Sequence, residues 1–224
     1  MTPRRRLILS AVLGVLLVAA LIFALTAGGG SGGGTHGSGT TGGGGPGTQT
    51  APTGPGGLEG AEIPGDVSAP PIELPDQYGR MVSLASLRGQ PVLVTFLYST
   101  CGGPCVLIAQ QIRGALDELG SPVPVLVVSA DPADDTPPSV RRFLARVSLA
   151  GRVYYLTGSR SQLRRIWRAY RVTPASAGAH AFAEHATVLL VDASGRERAL
   201  YGPEQLTPEA LAHDIRATGR PAHP

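Results

Sequence analysis

A glycine tract divides this chain before any other feature does. Residues 28–57 hold 16 of the 31 glycines in 30 positions, mixed with Ser, Thr and Pro. Such a stretch cannot bury enough apolar surface to offset the entropy of ordering it. It is expected to be a flexible linker with a root-mean-square span of roughly 30 Å. Residues 1–27 lie before it, and residues 58–224 after it make 167 positions, enough for one domain with a sizeable core.

The leading segment reads as a membrane anchor. Leu7 to Ala27 carries no charge, and only Ser10, Gly14 and Thr26 interrupt its apolar side chains. At about 1.5 Å per residue the run spans roughly 31 Å, the thickness of a hydrocarbon core. Arg4, Arg5 and Arg6 precede it. That flank predicts a single-pass helix in the cell membrane, with everything after residue 27 on the extracytoplasmic side. A cleaved signal peptide is the competing reading, although Leu25-Thr26-Ala27 stands where an A-x-A site would be expected. All 19 cationic residues are Arg, and from residue 58 onward 16 Arg balance 16 acidic residues. The net charge of +3 therefore belongs to the N-terminal tip and argues against a nucleic-acid partner.

Within residues 58–224, apolar runs alternate between strand and helix spacing. A hairpin is predicted from Pro71–Leu74 and Arg80–Leu84, then a buried strand at Val92–Leu97. A helix from about Pro104 to Leu119 carries Leu107, Ile108, Ile112, Leu116 and Leu119, and a strand follows at Val123–Ser129. The next helix presents Val140, Phe143, Leu144 and Val147; Val153–Leu156 is a strand, and Ser161–Tyr170 a helix with Leu163, Ile166 and Trp167. Trp167 and the tyrosines are expected in the core. Thr187–Val191 and Glu197–Tyr201 form a late hairpin, and Thr207-Pro208-Glu209 opens the last helix. The pattern is that of an α/β domain with a central mixed sheet flanked by helices.

Cys101-Gly102-Gly103-Pro104-Cys105 sits between the Val92–Leu97 strand and the helix that follows. A helix N-terminus offers unpaired N–H groups and partial positive charge, which favour thiolate over thiol. The two glycines are expected to let the loop fold tightly. Only two cysteines exist, which excludes a multi-disulfide scaffold and any four-thiolate cluster. A purely structural bridge would close a five-residue ring, worth roughly 2 kcal/mol. Metal binding and redox use are therefore the readings to weigh. Among the five histidines, His185 is followed at once by Ala186 and an apolar strand, so a rigid element would fix it. His180 lies in a small-residue loop, His36 in the linker, and His213 and His223 in or beyond the last helix.

These residues resemble the Sco/SenC family of membrane-tethered, thioredoxin-like copper proteins. Val94–Cys101 with Cys105 matches its Cys-x-x-x-Cys segment, and Asp131-Pro132 followed by Asp135-Thr136-Pro137 matches its Asp-Pro…Asp-Thr-Pro stretch. Leu156-Thr157-Gly158, Tyr170-Arg171-Val172 and Glu184-His185 before Val188–Asp192 continue the match in order. The resemblance implies a thioredoxin-like fold with an N-terminal hairpin, and Cys101, Cys105 and His185 as ligands of a copper ion. Two thiolates and one imidazole suit Cu(I), although zinc also accepts such a set. The implied function is a metallochaperone for the dinuclear copper centre of a respiratory cytochrome c oxidase, with the oxidase's copper-receiving subunit as partner. Gly102, Val106 and Glu184 depart from the family's usual Pro, Pro and Asp.

The rival readings are a thiol–disulfide oxidoreductase that keeps the oxidase cysteines reduced, using Cys101 and Cys105 as a redox-active disulfide, and a redox or copper sensor. Against the first, the Cys spacing is one longer than Cys-x-x-Cys, and Ala186 stands where a Pro would precede the facing strand. Asp131, Asp134 and Asp135 are read as turn and cap residues rather than a cation site. Nine arginines and no acid lie between Thr136 and Ala183, read as solvated helix faces, with docking to an acidic partner or anionic lipid as the alternative.

Overall fold

The computed structural model describes residues 57–178, 182 and 186–219. The apolar run 7–27, the Gly-rich tract as far as residue 56, and His36, His180, Glu184, His185 and His223 lie outside the described residues. Among the described residues no helix is long and apolar enough to cross a membrane.

The frame is set by β4 (Val92–Leu97), whose six residues are all buried. A strand covered on both faces needs an unbroken apolar run rather than alternation, and Val-Leu-Val-Thr-Phe-Leu supplies it. β5 (Val125–Ser129) and β6 (Tyr154–Leu156) continue the sheet parallel to β4 on one side. On the other side β7 (Val188–Val191) runs antiparallel to β4, followed by β8 (Glu197–Tyr201) and the two-residue β1 (Ala61–Glu62). The strand order is β1-β8-β7-β4-β5-β6. β2 (Glu73–Pro75) and β3 (Met81–Ser83) form the separate N-terminal hairpin. The mixed sheet and both hairpins agree with the sequence pattern. β1 was not foreseen, because two residues carry no periodicity.

Side chains leave β4 alternately. Leu93 and Leu97 join one core with Ile108 and Ile112 of α1 (Gly103–Leu119), Phe143 and Leu144 of α2 (Pro137–Arg146), and Leu211 and Ile215 of α4 (Pro208–Thr218). Val92, Val94 and Phe96 join a second core with the β2–β3 hairpin and with Leu163, Ile166 and Trp167 of α3 (Arg160–Ala169). Helices thus cover both faces. Gly114 of α1 is packed so closely on α4 that a Cβ there would stand 2.7 Å from Pro208. Two expectations need correction. Leu107 is 45% exposed, because it lies off the buried stripe of α1, which runs through Cys105, Ile108, Ala109 and Ile112. Tyr78 is also exposed, at the tip of the hairpin turn, whereas Tyr155 and Tyr201 are fully buried.

The chain's approach to the sheet is pinned by Asp214 of α4, whose side chain is fully buried. Its Oδ2 accepts hydrogen bonds from the Glu59 and Gly60 amides at 3.0 Å and from the Tyr201 hydroxyl. His213 bonds Oδ1 through Nδ1 at 2.8 Å and is otherwise half exposed.

Candidate metal and redox centre

The centre is built where β4 ends. The Cys101 amide turns back to the Tyr98 carbonyl at 3.1 Å, and α1 begins two residues later with Gly102 as its N-cap. Pro104 occupies the first turn, where its missing N–H costs no hydrogen bond. No side chain caps this helix and no acid lies in its first turn, so the free N–H groups and the positive end of the dipole stay directed at the loop.

Cys101 and Cys105 form a disulfide, with Cα atoms 5.8 Å apart. Both residues are buried, whereas Gly102, Gly103 and Pro104 between them are exposed. The pair therefore has apolar core beneath it and solvent above. The two glycines are not demanded by geometry: a Cβ on either would meet nothing within 4 Å, and neither has positive φ. What they do is keep side chains off the loop top, which corrects the expectation that tight folding requires them.

The segment ahead of β7 converges on this point. β7 pairs with β4, Thr95 facing Val188, so β7 starts at the end of the sheet where the Cys loop sits. The Phe182 ring stands edge-on to Tyr98 with centroids 5.0 Å apart. Phe182 and Ala186 are both buried in the core that contains Cys101 and Cys105. His185, the implied third ligand, falls between these two and lies outside the described residues. Among the described residues no group of three or more His, Cys, Asp or Glu side chains could hold a metal ion.

One buried acid near the centre departs from its expected role. Asp131 does make a turn, its Oδ1 accepting from the Ala133 amide at 3.2 Å. The cap of α2 is Thr136, however, and although the Asp135 amide closes the turn on the Asp131 carbonyl at 3.0 Å, its side chain serves neither turn nor cap. It is 5% exposed, and its Oδ1 accepts the Ser99 amide at 2.6 Å. Its Oδ2 accepts the Ser129 hydroxyl at 2.6 Å and the Tyr155 hydroxyl at 2.9 Å. Burial pushes the Asp135 carboxyl above its ordinary range, and those bonds pull it only partly back. Tyr155 is pushed well up by burial and by the adjacent carboxylate. Tyr98 is also raised, by burial and then by the charge of Asp131.

The arginines between residues 137 and 171 do not form one surface. Arg141, Arg142 and Arg146 are on α2, and Arg160, Arg164, Arg165 and Arg168 on α3, which packs on the opposite face of the sheet. All are exposed, and only Arg152 forms an ion pair among the described residues, with Asp117.

A central mixed sheet with helices on both faces and one cysteine pair at the head of its first long helix defines a thioredoxin-like protein. Within that class the chain belongs to the SCO1/SenC family, whose model matches residues 61–219. The chain is 33% identical to the mitochondrial SCO2 homolog of Bos taurus over 106 residues, 45% of this chain and 39% of the relative. It spans 53% or less of the length of the curated relatives it matches. Among solved structures it is similar to BsSco, described as having a disulfide switch and as a member of the Sco family of cytochrome c oxidase assembly proteins. The TM-score there is 0.58 at 23% identity, covering 71% of this chain and 98% of BsSco. Bradyrhizobium japonicum ScoI with copper bound gives a TM-score of 0.51 at 25% identity, covering 68% and 99%.

Proposed function

We propose that this chain is a membrane-tethered copper metallochaperone on the extracytoplasmic side of a cell membrane, supplying the dinuclear copper centre of a respiratory cytochrome c oxidase. The carrying observation is the Cys101–Cys105 pair at the uncapped start of α1 in a chain of the SCO1/SenC family. Copper is the cargo. When the disulfide is reduced, two thiolates become available at one place, and with an imidazole they make a soft set of few donors suited to Cu(I). The first turn of α1 offsets part of the negative charge of such a site. His185 is the third donor in this reading, and Phe182 and Ala186 on either side of it share a core with both cysteines. The anchor at residues 7–27 and the linker at 28–57 keep the domain near the membrane that holds the recipient. Copper leaves by stepwise exchange of these ligands for the recipient's thiolates.

The test is transfer. The chain loaded with Cu(I) is mixed with the copper-free receiving domain of an oxidase, and assembly of the dinuclear centre is followed by its visible absorption. Wild type is expected to fill the centre, and Cys105→Ser is expected to fill none of it. Equal filling by both would refute the chaperone reading. A second reading, thiol–disulfide reductase of the recipient's cysteines, is supported by the observed disulfide and the thioredoxin-like fold. Reductase activity would survive His185→Ala and vanish with Cys101→Ser.

A further inference from the structure

Asp135 has no local task that requires a carboxylate, since Thr136 caps α2 and Asp131 makes the turn. Yet it is a buried acid tied to the ends of two adjacent strands and to the body of a third: Ser99 just beyond β4, Ser129 at the end of β5 and Tyr155 within β6. Ser99 is two residues ahead of Cys101, and the Cys101 amide is held by the Tyr98 carbonyl. The loop that carries the first sulfur is thus suspended from a backbone bond to a buried anion.

We propose that Asp135 is a positioning residue for the Cys101–Cys105 pair, clamping the Ser99 amide so that the loop is held in its disulfide-bonded arrangement. The inference rests on reading that pair as the working centre. A hydrogen bond to an ionised acceptor is stronger than a neutral one, and low dielectric strengthens it further. The same negative charge, lying behind the loop, opposes the development of thiolates when the disulfide opens. Geometry and charge therefore act in one direction, and both favour the oxidised pair.

The test is a redox titration of the full chain against dithiothreitol at neutral pH, with no copper present. The protein's sulfur–sulfur bond breaks and takes up two electrons and two protons from dithiothreitol, whose thiols close to a cyclic disulfide. Asp135→Asn keeps the shape and removes the charge. It is expected to move the equilibrium about tenfold toward the dithiol, about 30 mV for this two-electron couple. Tyr155→Phe leaves the carboxylate and the Ser99 bond in place, and should stay within about twofold of wild type. An Asp135→Asn equilibrium within that same margin, or an equal shift in Tyr155→Phe, overturns the proposal. Should Asp135→Asn fail to fold, wild type alone decides. Linkage requires the Asp135 carboxyl to take up its proton at a different pH in the disulfide and dithiol states, followed through its side-chain carboxyl carbon resonance, and superimposable titration curves overturn the clamp. Copper plays no part in these measurements, so a chain that binds none would refute the chaperone reading and leave this inference standing.

Discussion

The Phe182 ring meets Tyr98 edge-on, 5.0 Å between centroids at an interplanar angle of 77°. Tyr98 is three residues ahead of Cys101 and Phe182 three ahead of His185, so this contact joins the two segments that carry the proposed ligands. Phe182→Ala removes a side chain that is 2% exposed. It should cost about 3–5 kcal/mol, as buried Phe to Ala changes do. Copper should also be retained less tightly than by wild type, while Cys101 and Cys105 still oxidise to a disulfide. Competition with a Cu(I) chelator and thiol counting check both halves.

Asp214 predicts a stability effect far from the centre. It is the common acceptor for Glu59, Gly60 and Tyr201, binding the start of the domain to α4 and β8. Asp214→Ala strands those buried donors and should cost about 2–4 kcal/mol in urea unfolding. Tyr201→Phe removes one donor only and should cost about 1 kcal/mol.

Two buried acids should respond to pH with opposite sign. Burial pushes the Asp76 carboxyl up, but bonds from the Arg80 backbone and side chain and the Tyr78 amide outweigh it, and the net shift is below the ordinary 3.8. Its contribution is therefore complete above that value and is lost as pH falls through the depressed folded-state value. Asp76→Asn should cost about 1–3 kcal/mol at neutral pH and almost nothing once the wild-type acid is protonated. Asp135 is shifted upward from 3.8, so wild type loses stability as pH rises from there through the raised value. The cost of Asp135→Asn should then be smaller at neutral pH than in acid. Unfolding curves of both variants across that range check the signs.

The basic face of α3 should be dispensable for the fold and for copper. Arg164, Arg165 and Arg168 are exposed, and no ion pair holds them among the described residues. Neutralising all three should change stability by no more than about 0.5 kcal/mol each and leave copper stoichiometry unchanged. Metal analysis and thermal unfolding of the triple variant check this.

Much of the fold was legible because periodicity and burial speak together in long elements. β4 and β8 have the bounds that their apolar and alternating runs predicted, and the last helix starts at Thr207-Pro208 as its cap chemistry required. β1 was not legible, since two residues are too few to show a period and their pairing with β8 is distant in sequence. Leu107 was misassigned because an apolar side chain at the helix start fits the stripe as well as its neighbour Ile108 does, and only packing separates them. The Cys pair was legible from its place between strand and helix. The part played by Asp135 was not, because an Asp before Thr-Pro resembles an ordinary turn residue, and its partners Ser99, Ser129 and Tyr155 are distant in sequence.

The central claim is that Cys101, Cys105 and His185 form one copper site, and counting bound metal tests it most directly. Reduced full-length chain in mild detergent is saturated with Cu(I), freed of excess, and assayed for copper per chain, for wild type, Cys101→Ser and His185→Ala. The account predicts about one ion for wild type, none for Cys101→Ser, and weakened or lost binding for His185→Ala. Wild-type chain that retains no copper, or His185→Ala that holds it as tightly as wild type, would contradict it.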